Sequence, residues 1–186
     1  MSLEVWNRRY AAGQQLYETP LPLVEQFASA LEPGAVLDLA CGPGRNALFL
    51  AKLGWRVTAV DGSAIAIDLL RQRARRSNLK LDVRLADLER GEYSIAAGTF
   101  DLILDTYYLQ RDLIPAMQHG VRPGGTIIAI VRLPDPDRAG GTPTRAVPGE
   151  LRAYFDGWNI VHHFEGQPHE SCRQRAVAEI VAIKPP

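Results

Sequence analysis

The chain has 186 residues, 46% of them hydrophobic and 23% charged, an ordinary composition for one globular domain. Its 21 basic and 21 acidic residues cancel to a formal net charge of +0, which argues against nucleic acid or an anionic membrane surface as a general partner. Two cysteines, Cys41 and Cys172, are too few for a disulfide framework or a zinc-ligand set. No apolar run reaches the roughly 18–20 residues that span a bilayer, and the N-terminus lacks a signal-peptide pattern. The expectation is a soluble, cytoplasmic chain with no metal centre, a monomer or homodimer.

In chain order, Ser2–Gln15 reads as a helix carrying Trp6, Arg8, Arg9 and Tyr10. A second helix spans about Pro22–Leu31, with Leu23, Val24, Phe27 and Leu31 on one face, and Glu32-Pro33-Gly34 stops it. Strand 1, Ala35–Ala40, runs through a glycine turn into a helix that Gly54 ends. Strand 2 is Arg56–Val60 and finishes at Asp61. Ser63 suits the N-cap of the next helix, whose last turn holds Arg71, Arg73, Arg75 and Arg76, cations that complement the helix dipole. Strand 3 is Leu81–Leu85, with Leu81, Val83 and Leu85 on one face, and Ala86-Asp87-Leu88 follows.

Strand 4, Phe100–Leu104, ends at Asp105. A broken helix over about Leu109–Val121, interrupted by Pro115, leads through a Pro123-Gly124-Gly125 turn to strand 5, Thr126–Val131. Leu133–Gly149 is a Pro- and Gly-rich loop placed where a lid would sit. A short helix at Glu150–Phe155 precedes two final strands, Trp158–Phe164 and Ala176–Ile183, which should pair antiparallel because no helix separates them. Alternating strands and helices of this kind build an α/β sandwich around a mostly parallel sheet.

The organising stretch is Val36–Asn46, VLDLACGPGRN. An apolar strand runs into glycines that let backbone N–H groups approach a ligand closely, and the turn opens a helix. The Gly42-x-Gly44-x-x-Ala47 spacing, with Asp61 at the end of the next strand, is shared by nicotinamide-dinucleotide folds and by folds that bind S-adenosyl-L-methionine. Four features separate them. Asp38 inside the strand would repel a pyrophosphate and welcome an ammonium or sulfonium. Arg45 and Asn46 stand where the dinucleotide pattern keeps small residues. Asp61, Asp87 and Asp105 place a carboxylate at three further strand ends, suiting a cationic ligand with ribose and adenine. The C-terminal hairpin is not expected of a nicotinamide-binding domain.

The stretch resembles motif I of the class I methyltransferases, and nearly the whole chain resembles their small tellurite-resistance-type branch. The match rests on GRNALFLAKLGWRVTAVD at Gly44–Asp61, RPGGTIIAIV at Arg122–Val131 and PGELRAYFDGW at Pro148–Trp158. The resemblance implies a single Rossmann-like domain over residues 1–186, with N-terminal helices (1–32) over the cofactor side and a core from 33. It implies a seven-stranded sheet in the order 3-2-1-4-5-7-6, strand 7 antiparallel. It also implies S-adenosyl-L-methionine as methyl donor, S-adenosyl-L-homocysteine as product and a methyltransferase activity, with a non-catalytic S-adenosylmethionine-binding module as the alternative.

Carried over by position, the resemblance gives the methionine end to Asp38 and to the backbone from Ala40 through Gly42 to Gly44, with Asn46 opening the helix. Asp61 would take the ribose hydroxyls as a bidentate acceptor. Gly62 and Ser63 would pass the adenine, whose amine and ring nitrogen would meet Asp87 and Leu88, with Ala86 beside them. Asp105 and Thr106 would line the methyl group's floor, and Arg9 and Tyr10 would fold over with the first helix.

Methyl transfer needs an oriented acceptor and little covalent help from the protein. The sequence after strand 4, Asp105-Thr106-Tyr107-Tyr108, lacks the proline box of amino-methylating nucleic-acid enzymes, and neither cysteine sits in a Pro-Cys loop. A small-molecule acceptor follows: a thiol, a chalcogen oxyanion or another metabolite. Tyr107, His169 and Arg175 are the candidate catalytic side chains. His169 matches the histidine of a His-Arg pair in the tellurite-type relatives, but Glu170 follows it, so an anion-binding role falls to Arg173 or Arg175. His162 and His163 alternate on a strand and point to opposite faces.

Overall fold

The computed structural model of the chain describes residues 2–134, 142–167 and 175–186. They fall into two compact units, Met1–Ser94 and Ile95–Pro186.

In the first unit, α1 (Leu3–Ala11) buries no residue fully, whereas α2 (Pro22–Ala28) starts on Pro22, where the missing N–H costs nothing, and buries Leu23, Val24 and Ala28. β1 (Ala35–Leu39) is buried from Val36 to Leu39, the continuous run of a strand covered on both faces. It pairs in parallel with β2 (Arg56–Asp61), which pairs in parallel with β3 (Asp82–Leu85). Between β1 and β2 lies α3 (Arg45–Lys52); between β2 and β3 lies α4 (Ala64–Arg76). Ser63 caps α4 by accepting the Ala66 N–H at 3.2 Å, as its position suggests. A 3-10 turn (Leu88–Arg90) follows β3. The apolar face expected on β3 is not buried: Leu85 is 53% exposed, because β3 is the last strand of the sheet and has a neighbour on one side only.

The second unit holds β4 (Phe100–Thr106), α5 (Leu113–Gly120), β5 (Val121–Arg132), α6 (Glu150–Ala153), β6 (Asn159–Gly166) and β7 (Val177–Ile183). The helix expected to be broken over Leu109–Val121 is continuous and starts later. Pro115 falls in its first turn, where a proline removes no intrahelical hydrogen bond. Lys184 Nζ closes its other end on the carbonyls of Gln118 and Val121 at 2.7 and 2.9 Å. Pro123-Gly124-Gly125 lies inside β5, not before it. The β4–β5 register jumps from Phe100↔Val121 to Leu102↔Thr126, so the turn is an outward bulge in a longer strand. β7 runs antiparallel to both β5 and β6.

The sheet has seven strands in the order β3-β2-β1-β4-β5-β7-β6, as the resemblance implied. Among the described residues no helix is long and apolar enough to cross a membrane, and no cluster of three or more His, Cys, Asp or Glu could hold a metal ion.

Candidate cofactor site

Asp38 sits three-quarters of the way along β1, 1% exposed, and neither carboxylate oxygen has a partner in hydrogen-bond geometry. The backbone of Ala47, in the first turn of α3, offers only weak support. Burial lifts the Asp38 pKa from the ordinary carboxylate value to about 7. Arg45 pulls it down, Asp61 pushes it up, and Ala47 lowers it slightly. A buried carboxyl with both oxygens unsatisfied is costly in a folded protein, and a cationic ligand group would relieve that cost.

Beyond β1 the chain turns sharply. Ala40 is held at φ +48°, Gly42 at +56° and Gly44 at +85°. A side chain at Gly44 would also collide with Leu70 Cδ1 of α4, so glycine there is required by conformation and by space. Asp61 ties the turn to the next strand. Its Oδ2 accepts the Gly42 N–H at 2.8 Å and its Oδ1 accepts the Ser63 N–H at 2.7 Å. Burial raises the Asp61 pKa despite these two N–H groups, which favour the anion. Each oxygen still has a second lone-pair direction, enough to accept a ribose hydroxyl. The half-buried Cys41 lies in the turn, its thiol pKa pushed up by burial, then by Asp61 and Asp38.

α1 lies against this cradle along one stripe. Leu3, Asn7 and Tyr10, at i, i+4 and i+7, share a face. Leu3 Cδ2 would be 2.8 Å from a Cβ at Gly62, Ser63 Oγ donates to Asn7 Oδ1 at 2.5 Å, and Tyr10 Oη would be 3.0 Å from a Cβ at Gly42. Tyr10 is thus the α1 residue on the glycine turn, and burial followed by Asp61 pushes its phenol pKa up. The resemblance gave this place to Arg9 and Tyr10 together. Arg9 stacks over Trp6, 5.1 Å from the ring centroid, and Trp6 stacks on Tyr10 at 5.7 Å.

Other expected site residues have structural partners. Asn46 Oδ1 accepts the Leu21 N–H at 3.0 Å, pinning the start of α2 to the start of α3. Asp87 Oδ1 accepts the Glu89 N–H at 3.0 Å and caps the 3-10 turn, with Leu88 buried behind it. Ala86 N–H donates to the Asp61 carbonyl at 3.1 Å, which joins the ends of β2 and β3. Arg73, whose charge is expected to complement the dipole of α4, also donates to the carbonyls of Leu16, Tyr17 and Pro43 at 3.3 Å each. It fastens the segment after α1 to the glycine turn.

In the second unit Asp105, 2% exposed, and Thr106 close β4. Tyr107 follows at φ +64°, its N–H 2.6 Å from the Ile130 carbonyl and its ring beneath the Arg132 guanidinium at 5.1 Å. A tyrosine in the left-handed region is a strained residue, and such residues gather at functional sites. Arg111 is committed to structure: Nε and Nη2 meet the Glu150 carboxylate at 2.6 and 3.1 Å. Its guanidinium also reaches the carbonyls of Thr142 and Arg145 at 3.2 Å. His162 pairs with Glu179 at 3.1 Å and His163 with Glu165 at 3.5 Å. Arg175 is exposed just before β7, and His169 and Arg173 lie outside the described residues.

The strand order, with its antiparallel β7, is that of the Rossmann-like α/β methyltransferase fold. A family model described as tellurite resistance protein TehB matches residues 15–175, and the chain belongs to that family. It is 28% identical over 159 residues to a protein of Haemophilus influenzae (strain 10810) named probable S-adenosyl-L-methionine-dependent methyltransferase TehB. The match covers 80% of this chain and 54% of that protein. The chain therefore spans about half the length of the curated relatives it matches.

Among solved structures, TehB from Haemophilus influenzae superposes with a TM-score of 0.77 at 24% identity, covering 96% of this chain and 67% of that one. A Burkholderia thailandensis 1,6-didemethyltoxoflavin-N1-methyltransferase, solved with its namesake ligand and S-adenosylhomocysteine, superposes with a TM-score of 0.73 at 19% identity. That likeness covers 99% of this chain and 87% of that one.

Proposed function

We propose that the chain is an S-adenosylmethionine-dependent methyltransferase acting on a small-molecule nucleophile, and that residues 1–186 act as one domain. The observation that carries this reading is Asp38: a buried carboxyl with neither oxygen satisfied, one strand away from an Asp61 that rigidifies the glycine turn. That donor set fits a ligand with an ammonium group and a ribose, and suits a pyrophosphate poorly. The TehB relatives and the methyltransferases among the structural neighbours lend the same support, and they do not favour a non-catalytic binding module.

In this reading Asp38 holds the ammonium of the methionine end, and the turn from Ala40 to Gly44 lets the ligand lie against backbone. Asp61 accepts from the ribose hydroxyls with the lone pairs that Gly42 and Ser63 leave over. Gly62, Ser63, Ala86, Asp87 and Leu88 take the adenine side, while Arg9 and Tyr10 arrive with α1. Asp105 and Thr106 are assigned to the methyl end, and Tyr107, His169 and Arg175 to the acceptor. The donor supplies an electrophilic methyl group and leaves as a neutral thioether, so the side chains need only orient the acceptor, keep water out and hold it deprotonated.

The test is release of S-adenosylhomocysteine from S-adenosylmethionine across thiols, tellurite, selenite, amines and phenols. Turnover with one class and not with the others assigns the acceptor. Tight cofactor binding without product from any class would favour the binding module. His169→Ala and Tyr107→Phe should each slow an accepted substrate; unchanged turnover would remove that side chain from the acceptor site.

A further inference from the structure

Asp38 raises a question that seating a ligand does not by itself answer: which protonation state the free protein presents. The carboxyl is 1% exposed, both oxygens lack a hydrogen-bond partner, and water cannot compensate a charge there. Asp61 lies close enough to disfavour a second anion, whereas its own charge is supported by the Gly42 and Ser63 N–H groups. Arg45, at the start of α3, favours ionised Asp38, but it does not outweigh burial. Cys41 and Tyr10, the other titratable groups around the turn, have pKa values pushed up and stay neutral.

We propose that Asp38 carries its proton in the free protein and gives it up when the ligand's ammonium group is seated, so that cofactor binding releases a proton and tightens as pH rises. The inference rests on the cofactor reading above. Its balance is simple. The Asp38 O–H bond breaks, the electron pair stays on the carboxylate as partner to the ammonium, and the proton passes to buffer. The same raised pKa of about 7 sets the working range. Below it most free protein must lose a proton to bind; above it almost none must.

The experiment is calorimetric titration with S-adenosylhomocysteine at pH 6 and pH 8, in buffers of different ionisation enthalpy, so that protons released are counted directly. The inert product keeps the ammonium and avoids turnover. More protons should be released per ligand at pH 6 than at pH 8, where release should be close to none, and affinity should be several-fold higher at pH 8. The control is 5′-methylthioadenosine, which has the nucleoside and thioether but no amino-acid end. It faces Asp61 and not Asp38, and should release no proton.

Asp38→Asn should bind the product more weakly, with no proton release and no pH dependence. Product binding at pH 6 without proton release would overturn the proposal and leave the cofactor reading standing. Equal release by methylthioadenosine would move the titrating group to Asp61 and also overturn it. Absence of product binding at either pH would fail the cofactor reading itself and take this proposal with it. The wild-type comparison of the two ligands decides the matter even if the Asn variant does not fold.

Discussion

Asp38 and Asp61 are both buried acids, but the fold treats them differently. Asp61 spends one lone pair on each of two backbone N–H groups and so holds the turn, whereas Asp38 has neither oxygen satisfied. Asp61→Ala should weaken S-adenosylhomocysteine binding by about 1–3 kcal/mol, the scale of losing hydrogen bonds to a charged group, and lower folding stability through the two orphaned N–H groups. An unchanged affinity by calorimetry would remove Asp61 from the ribose. Asp38 predicts a pH trend of definite sign. Its pKa is about 7 in the native state and ordinary in the unfolded chain, so between about pH 4 and pH 7 the native state holds a proton that the unfolded state has lost. Stability should therefore fall as pH rises through that window and level off above it. Asp38→Asn should flatten this part of the profile and leave the free protein more stable at pH 8. A denaturation series that shows the same slope in both proteins would contradict it. Gly44→Ala should cost about 1–3 kcal/mol through its positive φ and Leu70; made in a Leu70→Ala background, where the collision is gone, the same substitution should cost only the part due to φ.

At the scale of elements, each unit has an arginine that composition alone would leave on the surface and that instead ties its own loops together. Arg73 gathers three carbonyls, from Leu16, Tyr17 and Pro43, and Arg111 fastens the Thr142–Arg145 turn and Glu150 beside the chain that follows β4. Arg111→Ala should cost about 1–2 kcal/mol and speed tryptic cleavage after Arg145, whose carbonyl it holds. Cleavage at the wild-type rate would show that the turn holds without it. Neither role was legible in the sequence, because an arginine's long side chain reaches partners that no local period encodes. What local chemistry controls was legible: the Ser63 cap, the buried run of β1, the turn glycines and the antiparallel hairpin. The misjudged elements were those where position within an element decides. Pro115 breaks a helix only in its interior, Gly124 can kink a strand as well as end it, and Leu85 is buried only if its strand has two neighbours.

Across the whole molecule, the strand order and the methyltransferase fold followed from alternating strands and helices together with the motif I resemblance, and membership in the TehB family agrees. The sequence says more about the donor than about the acceptor, for a physical reason. A cofactor of fixed chemistry leaves carboxylates and glycines at fixed strand ends, while an acceptor is read by loops whose side chains can come from anywhere. The central claim is that the Asp38–Asp61 cradle seats S-adenosylmethionine. It is tested most directly by calorimetric titration of the purified chain with S-adenosylmethionine, S-adenosylhomocysteine and NAD. The account predicts saturable binding of both sulfur ligands, weakened by Asp61→Ala, and no heat with NAD. Binding of NAD with no response to either sulfur ligand would contradict it.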